Sequence, residues 1–188
     1  DISAEALAEV DESFRERIIR KFSAKEIAEE IEELDTDDAA DLVGELPEIL
    51  QEKVLSKIED TEHSQDIREL LNYEEGTAGA LMAKELVSVN ENLSVINCVR
   101  EMRKQAKEVT RVHSIYVINS KNKLLGRLSL KDLLTASTNS KVKNIYIPNV
   151  DFVNVKEDVN EVANIMSKYD LEAIPVVNDK KQLLGRIT

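Results

Sequence analysis

Apolar positions in the first part of the chain recur at spacings of three and four: Ile27, Ala28, Ile31 and Leu34, then Ala39, Ala40, Val43 and Leu46. That period lays one apolar stripe along each of a series of helices. Between Asp1 and Asn72, Gly44 and Pro47 are the only glycine and proline, so little interrupts the pattern. Laid in blocks of twelve, SAKEIAEEIEEL, DTDDAADLVGEL and PEILQEKVLSKI form a faint repeat that closes on Leu34, Leu46 and Ile58. Short helices with one stripe each bury it only by stacking on one another, which predicts an all-α superhelical array. Helix starts are marked by Ser23 with Glu26 as a capping box, by Asp35 or Thr36, and by Pro47 in a first turn.

The period changes after YEEGTAGALM (Tyr73–Met82), where Gly76 and Gly79 break the helical pattern and a domain boundary is expected. Val87–Val89 reads as a strand, and Leu93, Ile96, Val99 and Met102 as an amphipathic helix capped from Asn90–Asn92. IYVINSKNKLLGRLS (Ile115–Ser129) then recurs as IPVVNDKKQLLGRIT (Ile174–Thr188) at a constant offset of 59. Each copy is a strand, a polar turn and a second strand, with Gly126 or Gly185 placed close to a backbone. Leu130–Leu134 starts a closing helix. Val153–Val155 matches Val87–Val89 at offset 66, and Val159, Val162, Ile165 and Met166 mirror the first helix. The offset falls because the first copy holds seven extra residues around Lys107–Val112. Thr135–Lys143 connects the copies. The fold class is α+β and multidomain: a helical domain over 1–72, then β-α-β-β-α units over 73–138 and 139–188, the second lacking its last helix. The start at Asp1 and the stop partway through a repeat mark the chain as an excerpt of something longer.

Composition sharpens this picture. The net charge is −12, but residues 1–72 carry 23 acidic against 8 basic side chains, whereas the rest carry 14 against 17. An acidic helical domain repels phosphate, which argues against nucleic acid as a partner and for cations or a basic surface. The one cysteine, Cys98, falls in the apolar series with Leu93, Ile96 and Val99 and reads as a buried small residue. No run approaches the roughly 18 apolar residues of a membrane helix. His63 and His113 lack a second ligand at zinc spacing. A nucleophile with a base at readable spacing is not evident, so an enzyme is not expected.

Asp37 and Asp41 lie one turn apart on one helix face. A like-charge pair at that spacing costs an isolated helix roughly 0.2–0.5 kcal/mol. A hard divalent cation turns the cost into attraction, and Mg²⁺ characteristically takes one or two carboxylates while keeping several waters. The competing reading is that Asp37 and Asp38 favour the helix N-terminus through its dipole. Glu29, Glu30, Glu32 and Glu33 read as a solvated face that deepens the negative potential. Asp158 and Asp170 also read as an N-cap or first-turn acid and a turn residue, one at each end of the second-copy helix.

The duplicated strand, helix, strand, glycine-containing strand and helix resemble a tandem pair of CBS (Bateman) modules. The acidic helical block joined to them through YEEGTAGALM, together with DTDDAADLVGELP (Asp35–Pro47), resembles the cytosolic portion of the MgtE family of magnesium channels, and the likeness covers essentially the whole chain. It implies a homodimer through the CBS modules on the cytoplasmic side of the cell membrane, attached to a transmembrane pore domain absent from this chain. Mg²⁺ is then the regulatory ligand, bringing the acidic domain onto the CBS pair and favouring a closed pore. On this pattern Asp37, Asp41, Asp158 and Asp170 align with cation ligands, a backbone carbonyl at Ala80 completes an interface site, and Glu9 contributes an acid. Asn160 departs from the pattern, which has Glu there. Ser129 and Asp132 have the Ser-x-x-Asp form that in many CBS modules meets the ribose and phosphates of an adenine nucleotide such as ATP, and the same residues also make a plain helix cap. Two other functions remain open: a nucleotide-responsive regulatory module of another protein, and a helical scaffold that docks a basic protein.

Overall fold

A computed structural model describes residues 21–107 and 109–188. Glu9 lies outside the described residues. The chain divides into two units, Asp1–Tyr73 and Glu74–Thr188.

In the first unit the blocks of twelve become helices with the same phase. The helices α1 (Ala24–Ile31), α2 (Thr36–Gly44) and α3 (Glu48–Leu55) each start at the second residue of a block, and the first residues, Ser23, Asp35 and Pro47, are their N-caps. Ser23 and Glu26 form the expected capping box, with Glu26 Oε2 accepting from Ser23 N at 2.7 Å. The last residue of each block, Leu34, Leu46 and Ile58, is buried. α4 (Thr61–Leu70) follows, capped by Asp60, whose Oδ1 accepts from the amides of Glu62 and His63. α1 packs on α3 and α2 packs on α4, so every helix buries its stripe against the next but one, as a stacked array requires. Ile31, Val43, Val54 and Ile67 are fully enclosed between them. Polar side chains tie the turns: Gln51 Nε2 donates to Leu46 O at 2.8 Å and Ser64 Oγ to Leu55 O at 2.9 Å.

The second unit holds the two copies. A short helix, α5 (Ala78–Leu81), leads to β1 (Val87–Asn90) and α6 (Val95–Gln105). The cap of α6 is Ser94 rather than Asn90–Asn92; Asn90 Oδ1 instead accepts from Asn92 N and turns the chain. At its other end Gln105 pairs with both backbone groups of Ser88, at 2.8 and 2.9 Å, and so covers the free edge of β1. Strands β2 (Ile115–Ile118) and β3 (Leu124–Leu128), helix α7 (Leu130–Thr135) and the short strand β4 (Ile147–Pro148) complete a sheet of order β1-β2-β3-β4. The second copy supplies β5 (Val153–Asn154), α8 (Val159–Tyr169), β6 (Ile174–Val177) and β7 (Leu183–Ile187) in a sheet of order β5-β6-β7. In each copy the first strand pairs parallel with the second, and the second pairs antiparallel with the third. Even the bulges repeat, between Val117 and Ile118 and between Val176 and Val177. Cys98 is buried in the first-copy core with Val89, Val117 and Leu133, and burial pushes its thiol up to about 11.

The two glycines show what binds the copies together. β4, which leads into the second copy, pairs with β3 of the first at Gly126. Ala83, which leads into the first copy, pairs with Arg186 in β7 of the second, with amide–carbonyl bonds of 2.8 and 2.9 Å in both directions. A Cβ on Gly126 would run into the Ile147 carbonyl, and one on Gly185 would stand 2.5 Å from Ala83 O and 2.9 Å from Met82 Sδ. Each lead-in is therefore folded onto the other copy, and each glycine is the gap that admits it. YEEGTAGALM holds the boundary, since the units divide between Tyr73 and Glu74, and beyond that point it is built into the second copy: Ala78 N donates to Glu157 O, Gly79 N to Val155 O, and Val159 N to Gly76 O.

Candidate functional site

Helix α2 carries the acidic pair. Its buried side is Thr36, Ala39, Ala40, Leu42 and Val43, which leaves Asp38 and Asp41 exposed and Asp37 half-buried. Asp37 and Asp38 stand in the first turn, where the helix dipole welcomes them. Asp41 and the C-cap Glu45 stand toward the opposite end, where no basic residue occupies the last turn and the dipole disfavours an acid. The helix dipole therefore does not account for Asp41. Its oxygen chemistry suits a hard cation that keeps most of its waters.

Around it, not every acid is a solvated one. Lys25 pairs with Glu29 at 2.8 Å, both well exposed. Glu32, expected on a solvated face, is half-buried, and its Oε1 accepts from the amides of Glu59 and Asp60. It fastens the start of α4 to the end of α1. A glutamate one residue past an apolar stripe carries no signal of a partner 27 residues away.

The other acidic residues sit at the ends of α8. Asp158 is the N-cap, its Oδ1 accepting from Asn160 N at 2.8 Å and Asn160 Nδ2 at 2.9 Å, and these bonds hold its carboxyl below the usual carboxylate range. Asn160 is thus turned inward on Asp158. Ala80 comes close to this end of the helix, because Thr77 bridges to Asp158 and its carbonyl accepts from Ala80 N at 3.1 Å. Asp170 is the left-handed C-cap of α8, with φ 51°. An 11-residue helix separates Asp158 from Asp170 by roughly 18 Å, so one ion cannot use both. Ser129 caps α7, accepting from Asp132 N at 3.4 Å, with Asp132 half-buried beside it. A separate cleft of about 80 Å³ lies among Leu124, Leu125, Asn149, Val150, Phe152, Val177 and Lys181. It is far smaller than the roughly 300 Å³ at which ligand pockets begin.

Residues 1–76 match the MgtE intracellular N domain, and residues 78–139 and 142–188 each match the CBS domain. The chain is 37% identical over 123 residues to the magnesium transporter MgtE of Thermus thermophilus and 35% identical over 123 residues to that of Enterococcus faecalis. In each case 65% of this chain is aligned, and it spans 27% of the relative's length. A crystal structure of the cytosolic domain of the Mg²⁺ channel MgtE in complex with ATP superposes with a TM-score of 0.88 at 32% identity, covering 98% of this chain and 75% of that one. The soluble part of a magnesium transporter superposes with a TM-score of 0.78 at 29% identity, covering 98% of this chain and 82% of that one.

Proposed function

Since the chain belongs to the MgtE family and comprises its cytosolic helical domain and CBS pair, we propose that it is the Mg²⁺-sensing regulatory part of a magnesium channel or transporter, without catalytic activity. Mg²⁺ held by Asp37 and Asp41 draws the acidic unit onto the CBS pair and favours a compact, closed state. Without the ion, 23 carboxylates against 8 basic groups in residues 1–72 repel and loosen the assembly. The observation that carries this reading is the pair itself, with Asp41 exposed one turn from Asp37 along α2. The ion acts only through its better affinity for the compact form. Asp158 with the Ala80 carbonyl offers a second place for a cation, and Asp170 a third. In the full protein the CBS modules form a homodimer beneath the membrane, joined to the pore. Among the described residues no helix is long and apolar enough to cross a membrane.

Limited proteolysis tests the reading. Millimolar Mg²⁺ is expected to protect the bonds near Tyr73 from cleavage, with Na⁺ at matched ionic strength giving no protection. Equal cleavage with and without Mg²⁺ overturns it.

An adenine nucleotide is a further ligand on this reading, favoured by the ATP complex of the related cytosolic domain. Ser129 and Asp132 at the start of α7 are the residues to hold its ribose and phosphates. Calorimetry is expected to show ATP binding that Asp132→Ala weakens by about 10-fold, the value of one charge-assisted hydrogen bond. Binding that is indifferent to Asp132 removes this assignment.

A further inference from the structure

The repeat brings together two turns that the function above does not use. NSKNK (Asn119–Lys123) and NDKKQ (Asn178–Gln182) are built alike: Asn119 Oδ1 accepts from the amides of Lys121 and Lys123, and Asn178 Oδ1 from those of Lys180 and Gln182. They meet across the local two-fold relation of the copies. Leu124 N donates to Lys181 O and Leu183 N to Asn122 O, both at 2.9 Å, and Gln182 Nε2 donates to Lys121 O at 3.1 Å. Lys121, Lys123, Lys180 and Lys181 are thereby gathered on one edge, all four exposed.

Three features set this edge apart from an ordinary solvated turn. Among the described residues these four lysines form no ion pair; the adjacent acid Asp179 is taken by Lys156 at 2.8 Å. Lys181 occupies a left-handed conformation, φ 58°, where its counterpart in the first copy is Asn122. That conformation favours Asn over Lys, so the position keeps its charge at a conformational cost. Beside the lysines lies apolar surface: Phe152, 39% exposed, has the Lys181 ammonium 5.1 Å above its ring and borders the cleft with Leu125 and Val150. Counting Lys156 and the exposed Asp151, the edge holds five lysines against two acids in a chain of net charge −12.

We propose that this double-turn edge docks on an anionic phospholipid surface, its lysines on the headgroups and Phe152 at the interface. Lysines clustered next to an exposed aromatic ring are the combination that a negatively charged leaflet attracts. The proposal rests on the reading of the chain as the cytosolic part of a membrane protein, and it needs neither Mg²⁺ nor Asp37 and Asp41.

The test is co-sedimentation of the full chain with vesicles of phosphatidylglycerol and phosphatidylcholine, against vesicles of phosphatidylcholine alone. A protein of net charge −12 is repelled by the anionic vesicles unless a local patch overrides its total charge. Binding to the mixed vesicles only, released by high salt, is expected. Each lysine is worth about fivefold in binding, so Lys121→Gln, Lys123→Gln, Lys180→Gln and Lys181→Asn together are expected to weaken it by at least about 100-fold. Lys181→Asn suits the left-handed turn, which keeps the fold intact. Lys53→Gln with Lys57→Gln, two exposed lysines of the helical unit, serves as the control and is expected to change nothing. Failure of the unmodified chain to sediment with anionic vesicles overturns the proposal, as does undiminished binding by the fourfold variant. Lysine-dependent self-association without vesicle binding also overturns it and assigns the edge to an acidic protein surface. Each of these outcomes leaves the Mg²⁺ response, read by proteolysis, as a separate result.

Discussion

Gly185→Val is expected to lower the stability of the second unit by about 2–3 kcal/mol, the upper part of the range for forcing extra atoms into a filled site. The added Cβ starts 2.5 Å from the Ala83 carbonyl and 2.9 Å from Met82 Sδ, and the first of these is backbone that cannot rotate away. Relief requires the Met82–Ala83 segment to lift from β7. That breaks the paired bonds between Ala83 and Arg186 and draws out Met82 and Ala83, both fully buried. Arg186, itself buried, also loses its Nε bond to the Glu85 carbonyl at 2.5 Å. For a unit of this size the thermal midpoint is expected to fall by on the order of 10 °C in scanning calorimetry. Gly44→Ala is the contrasting case. Its Cβ meets only Leu71 Cδ2 at 3.6 Å, so the variant is expected to stabilise the helical unit by about 0.5 kcal/mol through helix propensity. Similar effects from both substitutions would contradict the crossed lead-ins. Amide exchange adds a local reading: the amides of Ala83 and Arg186 are expected to lose protection in Gly185→Val ahead of the β2 amides.

Asp37→Asn with Asp41→Asn is expected to leave stability nearly unchanged without Mg²⁺ and to abolish the stabilisation that Mg²⁺ brings. In the absence of divalent ions the pair is a like-charge repulsion at one-turn spacing, and Asp41 also opposes the helix dipole. Removing both charges relieves that repulsion but forfeits the dipole stabilisation of Asp37 in the first turn, so the two effects offset to within about 0.5 kcal/mol. With Mg²⁺ at a hundred times its dissociation constant, binding stabilises the unmodified chain by about 2.7 kcal/mol, and the double variant lacks that gain. The Mg²⁺ dependence separates a ligand role from a structural one, because a merely structural pair gives the same difference at all Mg²⁺ concentrations. Thermal unfolding of both proteins across a Mg²⁺ titration provides the measurement.

What the sequence disclosed follows from the reach of its signals. Periodicity is local, so the helices, strands and their duplication were readable, and so were the block boundaries, since Ser23, Asp35 and Pro47 cap where the twelve-residue phase places them. Gly126 and Gly185 were readable as points of close backbone approach. The identity of that backbone was not, because Ala83 lies about a hundred residues before Gly185 and no local pattern encodes the exchange. YEEGTAGALM is legible as the boundary where the units divide, but for the same reason nothing local shows that its amides serve the second copy. The signal for the α6 cap falls one turn too early because Asn90 is a strong turn former whose Oδ1 accepts from Asn92 N. Among the candidate site residues, the Asp37 and Asp41 spacing could be read directly from helix geometry. The tie between Asn160 and Asp158, and the nearness of Ala80 to that same helix end, depend on side-chain and tertiary placement that spacing does not carry.

On the proposed function, Mg²⁺ binding to the acidic unit drives compaction. Small-angle X-ray scattering of the chain, recorded with and without millimolar Mg²⁺ at matched ionic strength, tests it most directly. A smaller radius of gyration in Mg²⁺ for the unmodified chain, absent in Asp37→Asn with Asp41→Asn, is the predicted result; superimposable curves for the unmodified chain, or the same contraction in the double variant, would contradict the account.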